Sequence, residues 1–465
     1  MSKDIVIEFA NGAVYHGQVK DGKPNGEGIM TYADKMVYHG YWKEGSRDGK
    51  CSITFPDGGH FQGLVVKDKR CGHGSMHFKD GNVYIGNYKD GKQNGVGVMK
   101  YANGDVYEGE WHLDKYHGPG KLSLASGEVY EGFFTEGKAD GQGIRTYANG
   151  DKFSGEWSHD AILGVGTMTY ASGDIYVGEW KEGAYHGQGK LTRAEGIVYE
   201  GEFSHGVYAG HGVLTLPDGT TYTGSFQNGR KEGQGSLVYS DGTRYEGGFV
   251  NDRIEGTGVM RYCDGMIYEG TWRANQHHGH GVMTYPSGSS YDGEWIEDAR
   301  HGRGKMIYKD GGVYEGDLVQ NKCQGRGTCS YPNGDIYTGE WLDGKWHGTG
   351  TMTLAKGGSY MGSFYQGEFH GHGVRVYPDN GRYEGAWRHN QRSGHGTHTY
   401  ATGNDEYTGN WERDLRHGEG RMQYSNGRVY KGAFLEGKKV GFGVMTEANG
   451  DVVYEGQWED GDPVE

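Results

Sequence analysis

The fold class this sequence predicts is all-β: an elongated single-layer antiparallel meander of about twenty hairpins, twisted and rolled into an open groove or covered by a partner. Three observations predict it. Only 34% of the 465 residues are hydrophobic and 91 are glycine, yet 36 Tyr and 11 Trp supply far more aromatic surface than a disordered chain carries. One motif recurs with a period of 23 residues. Within that period apolar and polar residues alternate, as they do along a strand.

The period is read from Tyr-x-Gly or Phe-x-Gly, which begins at residues 15, 38, 61, 84, 107 and 130 and continues in equal steps to 383. Three further starts stand at Tyr407, Tyr430 and Tyr454, making twenty. Counting each start as position 1, position 3 is Gly in all twenty units, and position 12 in the first nineteen. Position 14 is Gly in eighteen, Cys51 being the exception. Position 5 holds ten of the eleven tryptophans, positions 1 and 18 hold 30 of the 36 tyrosines, and position 16 holds ten of the fourteen methionines. The array is read as one continuous domain, residues 1–465, irregular at 35–71 and 378–407.

Each element follows from the pattern. Positions 1, 3 and 5 form one face of a first strand, and positions 12, 14, 16 and 18 one face of a second. Between 18 and the next 1 lie turn dipeptides such as Asn103-Gly104 and Asp218-Gly219. For Tyr at 18 and Tyr at 1 to share a face the connecting loop has an odd length, so three or five residues are expected, with the Gly left-handed. The extra residues before Tyr407 and Tyr454 are expected in this turn. Ile5–Phe9 reads as a strand whose partner starts at Tyr15, and Tyr454–Trp458 completes a hairpin begun at Gly441. Glycines at 3, 12 and 14 imply that something lies over them, and the rings of positions 1, 5 and 18 are the expected occupants. The structural glycines so identified include Gly109, Gly118, Gly120, Gly178, Gly187 and Gly189. Forty strands about 4.8 Å apart would span roughly 190 Å before twist.

The unit Y-x-G-x-W-x-x-G-x-x-x-G-x-G-x-x-x-Y-x-x-G resembles the MORN repeat along almost the whole chain. Chains made almost wholly of such units are similar to radial spoke head proteins and to the MORN-only cytoskeletal proteins of protists. The resemblance implies a non-enzymatic strut or scaffold in a ciliary or flagellar axoneme or another cytoskeletal assembly, as a dimer or bound to protein partners. It also implies an alternative, a membrane adaptor binding phosphoinositides or tethering membrane to cytoskeleton, as junctophilins and certain plant lipid kinases with MORN units suggest. In lysine methyltransferases and lipid kinases the MORN part is an appendage to a catalytic domain, and no stretch of this chain is left over for one.

No catalytic, cofactor-binding or metal-ligating residue is expected, and no cofactor. G-x-G occurs in nearly every unit, but a phosphate-cradling loop needs a helix after it, and here a strand follows. Histidines gather at position 11 (His117, His186, His278, His301, His347, His370, His417) and at position 13, as in His211, His280, His372 and His395. Successive hairpins advance roughly 10 Å, too far for one metal to be shared by the same position of two units, so these read as polar edge residues. Paired acids at positions 2 and 4 (Glu108 and Glu110, Glu200 and Glu202, Asp292 and Glu294, Glu315 and Asp317) read as a solvated acidic outer face, since no apolar surround raises a pKa. The Asn-Gly-Asp tips, such as Asn103–Asp105 and Asn333–Asp335, read as turns.

A net charge of −15 argues against nucleic acid and, with no basic cluster, against direct membrane binding. It suits basic partners. Five scattered cysteines (Cys51, Cys71, Cys263, Cys323, Cys329) and a start without a signal-peptide core lead to the expectation of a cytoplasmic chain, and the resemblance implies a cytoskeletal, axonemal place for it. The expected binding surface is the aromatic face, where amphipathic helices of partners would dock. Its residues include Tyr107, Trp111, Tyr130, Trp157, Tyr176, Trp180, Tyr268 and Trp272, and continue through Tyr291, Trp295, Tyr337, Trp341, Tyr383, Trp387, Trp411 and Trp458.

Overall fold

A computed structural model describes residues 5–464. It contains 41 strands, and no helix occurs among the described residues. The chain divides into two compact units, one ending at Arg230 and one beginning at Lys231. Within each unit the strands follow one another antiparallel, each paired with its neighbours in sequence, as an open sheet of hairpins.

One repeat shows how the others are built. The strand Val106–His112 turns at Leu113-Asp114 into Lys115–Ser123, which turns again into Val129–Thr135. The long turn matches the parity argument. Five residues separate Lys100 from Val106, closed by the Tyr101 N–H donating to the Asp105 carbonyl at 2.8 Å, and Gly104 is left-handed at φ 96°. Tyr107 then faces Met99 across the pair, on the same side as Tyr101. The short turn, positions 7 and 8, has positive φ at both residues, 53° at Leu113 and 68° at Asp114. This is the geometry whose twist suits a two-residue hairpin.

Position 8 is Gly in eleven repeats and Asp or Asn in nine. Both can hold a left-handed backbone, but the second set does more. In all nine, the side-chain Oδ1 accepts the backbone N–H of position 10 in the preceding hairpin, as Asp114 does from Gln93 at 2.8 Å and Asn275 from Ile254 at 2.8 Å. The opposite edge is stapled in several repeats by position 22: Asp105 accepts from Ala125 and Asp335 from Ala355.

The core is a ladder of rings. The Tyr107 hydroxyl donates to the Glu110 carbonyl at 2.8 Å, which lays the ring over Gly109 and Gly120, a facing pair. Trp111 stands edge-on between Tyr84 and Tyr107, 5.2 Å from each, and its Nε1 donates to the Gly97 carbonyl at 3.2 Å. Gly178 and Gly189 lie under Tyr176 in the same way. Glycines 3 and 14 therefore have the occupant expected of them.

Position 12 does not. Gly118 and Gly187 carry no ring; they are left-handed, at φ 61° and 55°, and open a bulge of two residues between the pairs Gly109–Gly120 and Glu110–His117. The side chain near each is the position-4 carboxylate, and in several repeats it accepts the bulge N–H at position 13: Asp317 from Arg326 at 2.9 Å, Glu179 from Gln188 at 3.0 Å.

The ends and irregular stretches also differ in detail. Ile5–Glu8 pairs with Val14–Lys20 as expected, and a short added strand, Asp462–Pro463, follows Val452–Glu459. The extra residue before Tyr407 lies in the turn, closed from Tyr400 to Asp405. The one before Tyr454 does not: the turn Glu447–Asp451 keeps its length and Val453 bulges within the strand. Lys35 and Asn380 hold the left-handed place of the turn glycine at φ 74° and 71°.

Gly120→Ala puts a Cβ 2.5 Å from the Tyr107 Oη and 2.8 Å from the ring. It is expected to cost about 1–3 kcal/mol, as overpacking does. Gly127→Asn, at a turn with no atom near and φ 92°, is expected to cost far less. Amide exchange across Val106–His112 and Lys115–Ser123 measures the difference.

Candidate docking surface

The rings expected to form a partly exposed stripe are closed in. Tyr107, Tyr176, Tyr268, Tyr291, Tyr337 and Tyr383 are fully buried. Tyr130, Trp111, Trp157, Trp180, Trp272, Trp295, Trp341, Trp387, Trp411 and Trp458 are at most 7% exposed. What closes over them is position 10, which the sequence reading overlooked.

Position 10 pairs with position 5 across the short turn, as Tyr116 does with Trp111, and its side chain folds over position 1. Tyr116, Tyr185 and Tyr208 stack on Tyr107, Tyr176 and Tyr199 at 3.7, 3.7 and 3.8 Å. Trp346 and Phe369 do the same on Tyr337 and Tyr360. Elsewhere the lid is a cation: Arg392 lies 4.0 Å from the Trp411 centroid and Lys439 4.1 Å from that of Trp458. Burial pushes the Lys439 ammonium below its usual range. The lid is often locked by position 18 of the preceding hairpin. The Tyr101 and Tyr116 hydroxyls share a hydrogen bond, the Trp346 Nε1 donates to Tyr331 Oη at 2.9 Å, and His277 Nε2 lies 2.9 Å from Tyr262 Oη. A sequence signal existed: the eleventh tryptophan, Trp346, and three of the six tyrosines outside positions 1 and 18 all fall at position 10.

The opposite face is not simply acidic. Side chains of positions 2, 4, 13 and 15 rise as walls beside a floor of glycine backbone, forming troughs. In the first unit one of about 640 Å³ runs along Pro119, Phe133 and Ile144, and another of about 710 Å³ along Tyr41, Leu64 and Ile85. In the second unit a trough of about 1390 Å³ is lined by Arg303, Lys305 and Arg326 as well as Asp292, Glu315 and Glu384. Large apolar side chains stand exposed on this face: Val96 64%, Val165 61%, Met361 60%, Phe442 59% and Phe133 50%. Singly exposed apolar residues are ordinary, but Phe133, Met361 and Phe442 line concavities, which makes the troughs a candidate docking surface. The acids at position 4 are partly spoken for by the bulge. Hydrogen bonds from the Thr349 side chain and backbone hold the Glu340 carboxyl below its usual range.

Of the histidines at positions 11 and 13, His280 faces Asp292 at 3.1 Å and His417 faces Glu412 at 3.5 Å. Among the described residues no group of three His, Cys, Asp or Glu side chains is placed to hold a metal ion.

Comparison with known proteins gives twenty matches to the MORN repeat, the first seventeen contiguous over residues 15–405 and the rest at 407–427, 430–452 and 454–463. No curated protein matches. Among solved structures, the TCP10 domain of Danio rerio CPAP in complex with a STIL peptide is similar at 11% identity over 58% of this chain and 98% of its own, with a TM-score of 0.23. The TCP domain of Drosophila melanogaster SAS-4 with a proline-rich motif of Ana2 is 16% identical over 38% and 90%, also at 0.23. A streptogramin B lyase is 14% identical over 69% and 92%, at 0.11. At such scores none of these likenesses carries an argument.

One half-buried group is expected to make the core sensitive to acid. His398, at position 16, stacks on Tyr400 at 4.2 Å, and the Arg392 guanidinium donates to its Nδ1 at 2.6 Å. Burial first, and then the Arg392 charge, push it down to about 4 from an ordinary 6.5. The unfolded chain takes up this proton near 6.5 and the folded chain only near 4, so stability is lost as pH falls through that window. His398→Met, which restores the commonest residue of position 16, is expected to flatten the decline between pH 6.5 and 4 while leaving stability at pH 8 little changed. Amide exchange in Arg382–Arg388 against pH checks it.

Proposed function

Since the chain belongs to the MORN-repeat family, its repeats spanning nearly all of it, we propose that it is a non-enzymatic scaffold of a cytoskeletal assembly, docking protein partners along its troughs. The observation that carries this is the pairing of a sealed aromatic core with troughs on the opposite face that are lined by exposed Phe133, Met361 and Phe442. A repeat whose rings all pack internally gives rigidity, and a repeated concavity gives binding area in proportion to repeat number. The setting we favour is a ciliary or flagellar axoneme, supported by the resemblance of MORN-only chains to radial spoke head proteins. Amphipathic helices suit the troughs, and the charge of −15 favours partners with basic surfaces. No observation favours the membrane alternative.

Tagging the endogenous protein and extracting cells with non-ionic detergent tests the reading. Retention in the insoluble cytoskeleton at moderate salt is expected, with crosslinks to neighbours falling on the trough faces. Release together with the membranes would overturn it. Phe133→Asp and Met361→Asp, on side chains 50% and 60% exposed, are expected to leave folding intact and weaken retention.

A further inference from the structure

One hairpin lacks its lid. In the repeat that starts at Tyr130 position 10 is Ala139, and beside it a cavity of about 240 Å³ opens over Tyr130, Phe134 and Trp157. Tyr130 is 7% exposed, whereas the position-1 rings of the flanking repeats, Tyr107 and Phe153, are fully covered. At the rim Arg145 donates to Glu128 at 2.6 Å, and both side chains remain partly exposed.

A second hairpin shows what the space is shaped for. Around Tyr360 the chain repeats the same surroundings: Leu354, Arg375, Tyr377 and Trp387 stand where Leu124, Arg145, Tyr147 and Trp157 stand around Tyr130. Glu128 has Gly358 in its place there, so the Arg145–Glu128 rim belongs to the first hairpin alone; what fills the space in the second is position 10, where Phe369 replaces Ala139. Its ring stacks on Tyr360 at 3.8 Å with planes 10° apart and meets Trp387 edge-on at 5.6 Å, while the Arg375 guanidinium lies 5.3 Å from its centroid. The cavity at Ala139 is thus the mould of a phenyl ring, with stacking, edge and cationic partners in place. An apolar cavity of about 150 Å³ already suffices to bind benzene.

We propose that this cavity is a socket for one phenylalanine side chain carried by a basic segment of a protein partner. The ring enters between Tyr130 and Arg145. The basic flanks follow from the surroundings, where Glu128, Asp140 and Asp160 outnumber the single guanidinium of Arg145. Asp160 also holds the floor in place, accepting the Ala139 N–H at 2.8 Å. This deepens the scaffold reading and rests on it, since it gives one repeat a specific partner side chain.

The test is titration of the full chain with acetyl-Lys-Phe-Lys-amide, following the Trp157 indole N–H by NMR. A saturable shift at millimolar peptide is expected, at least tenfold weaker when alanine replaces the phenylalanine of the peptide, and absent from Ala139→Phe. That variant copies the hairpin around Phe369; Ala139→Leu is the second plug should it fail to fold. No saturable shift, or equal binding by the plugged chain, overturns the proposal. Binding of benzene without binding of the peptide also overturns it, marking a void for small ligands. Equal binding of acetyl-phenylalanine amide overturns the basic flank. The detergent extraction is read separately, so a scaffold without a socket and a socket without a scaffold give different results.

Discussion

An aromatic ring, a phenol in all but two repeats, lying flat across two facing glycines is the contact on which the array depends. With its hydroxyl bonded to a carbonyl three residues ahead, as Tyr107 is to Glu110, the ring cannot lift, and neither strand beneath it has room for a Cβ. Three residues of the 23 are fixed by that one contact. The tryptophan at position 5 then fits edge-on between successive phenols, which makes each hairpin unable to complete its core without the next. This is how a sheet with no second layer buries rings: the covering comes from adjacent hairpins and not from another sheet.

Much of this was legible in the sequence because identical contacts leave identical residues. Glycines 3 and 14, the ring at position 1 and the odd-length turn each answer to a single geometry, so each is nearly uniform from repeat to repeat. Position 10 escaped notice for the opposite reason. Covering a ring can be done by stacking, by a guanidinium or by an aliphatic side chain, and Tyr116, Arg392 and Ile254 all do it. The glycine at 12 was seen but misread. Strand alternation predicts a covered residue there, whereas the bulge after Gly109 takes two residues out of the ladder and asks only for a left-handed backbone. Cys51 in place of a position-14 glycine is tolerated opposite Gly40, beside the Tyr38 ring, with burial pushing its thiol up to about 11.

The character of the trough face was obscured by averaging. Acids are frequent at positions 2 and 4 and the whole chain is strongly negative, so that face reads as solvated. Its individual repeats differ: Phe133 and Tyr41 occupy position 4, Ile85 and Met361 position 2, Val96 and Phe442 position 13. Repetition constrains the side facing the rings and leaves the other free to vary. Ala139 is the same principle in the core, a small residue where many other repeats carry a ring or a cation.

The staples between hairpins carry a consequence for synthesis. The side-chain bonds that join neighbours link residues 14 to 22 apart: Trp111 to Gly97, Asp105 to Ala125, Asp114 to Gln93, Arg392 to Asp414. All-β proteins ordinarily wait for distant segments before they can close, and fold slowly for that reason. Here each hairpin finds everything it needs once the next has left the ribosome. The nascent chain can therefore settle one repeat at a time behind the point of elongation, with a single unpaired edge travelling forward and little aromatic surface exposed at any moment.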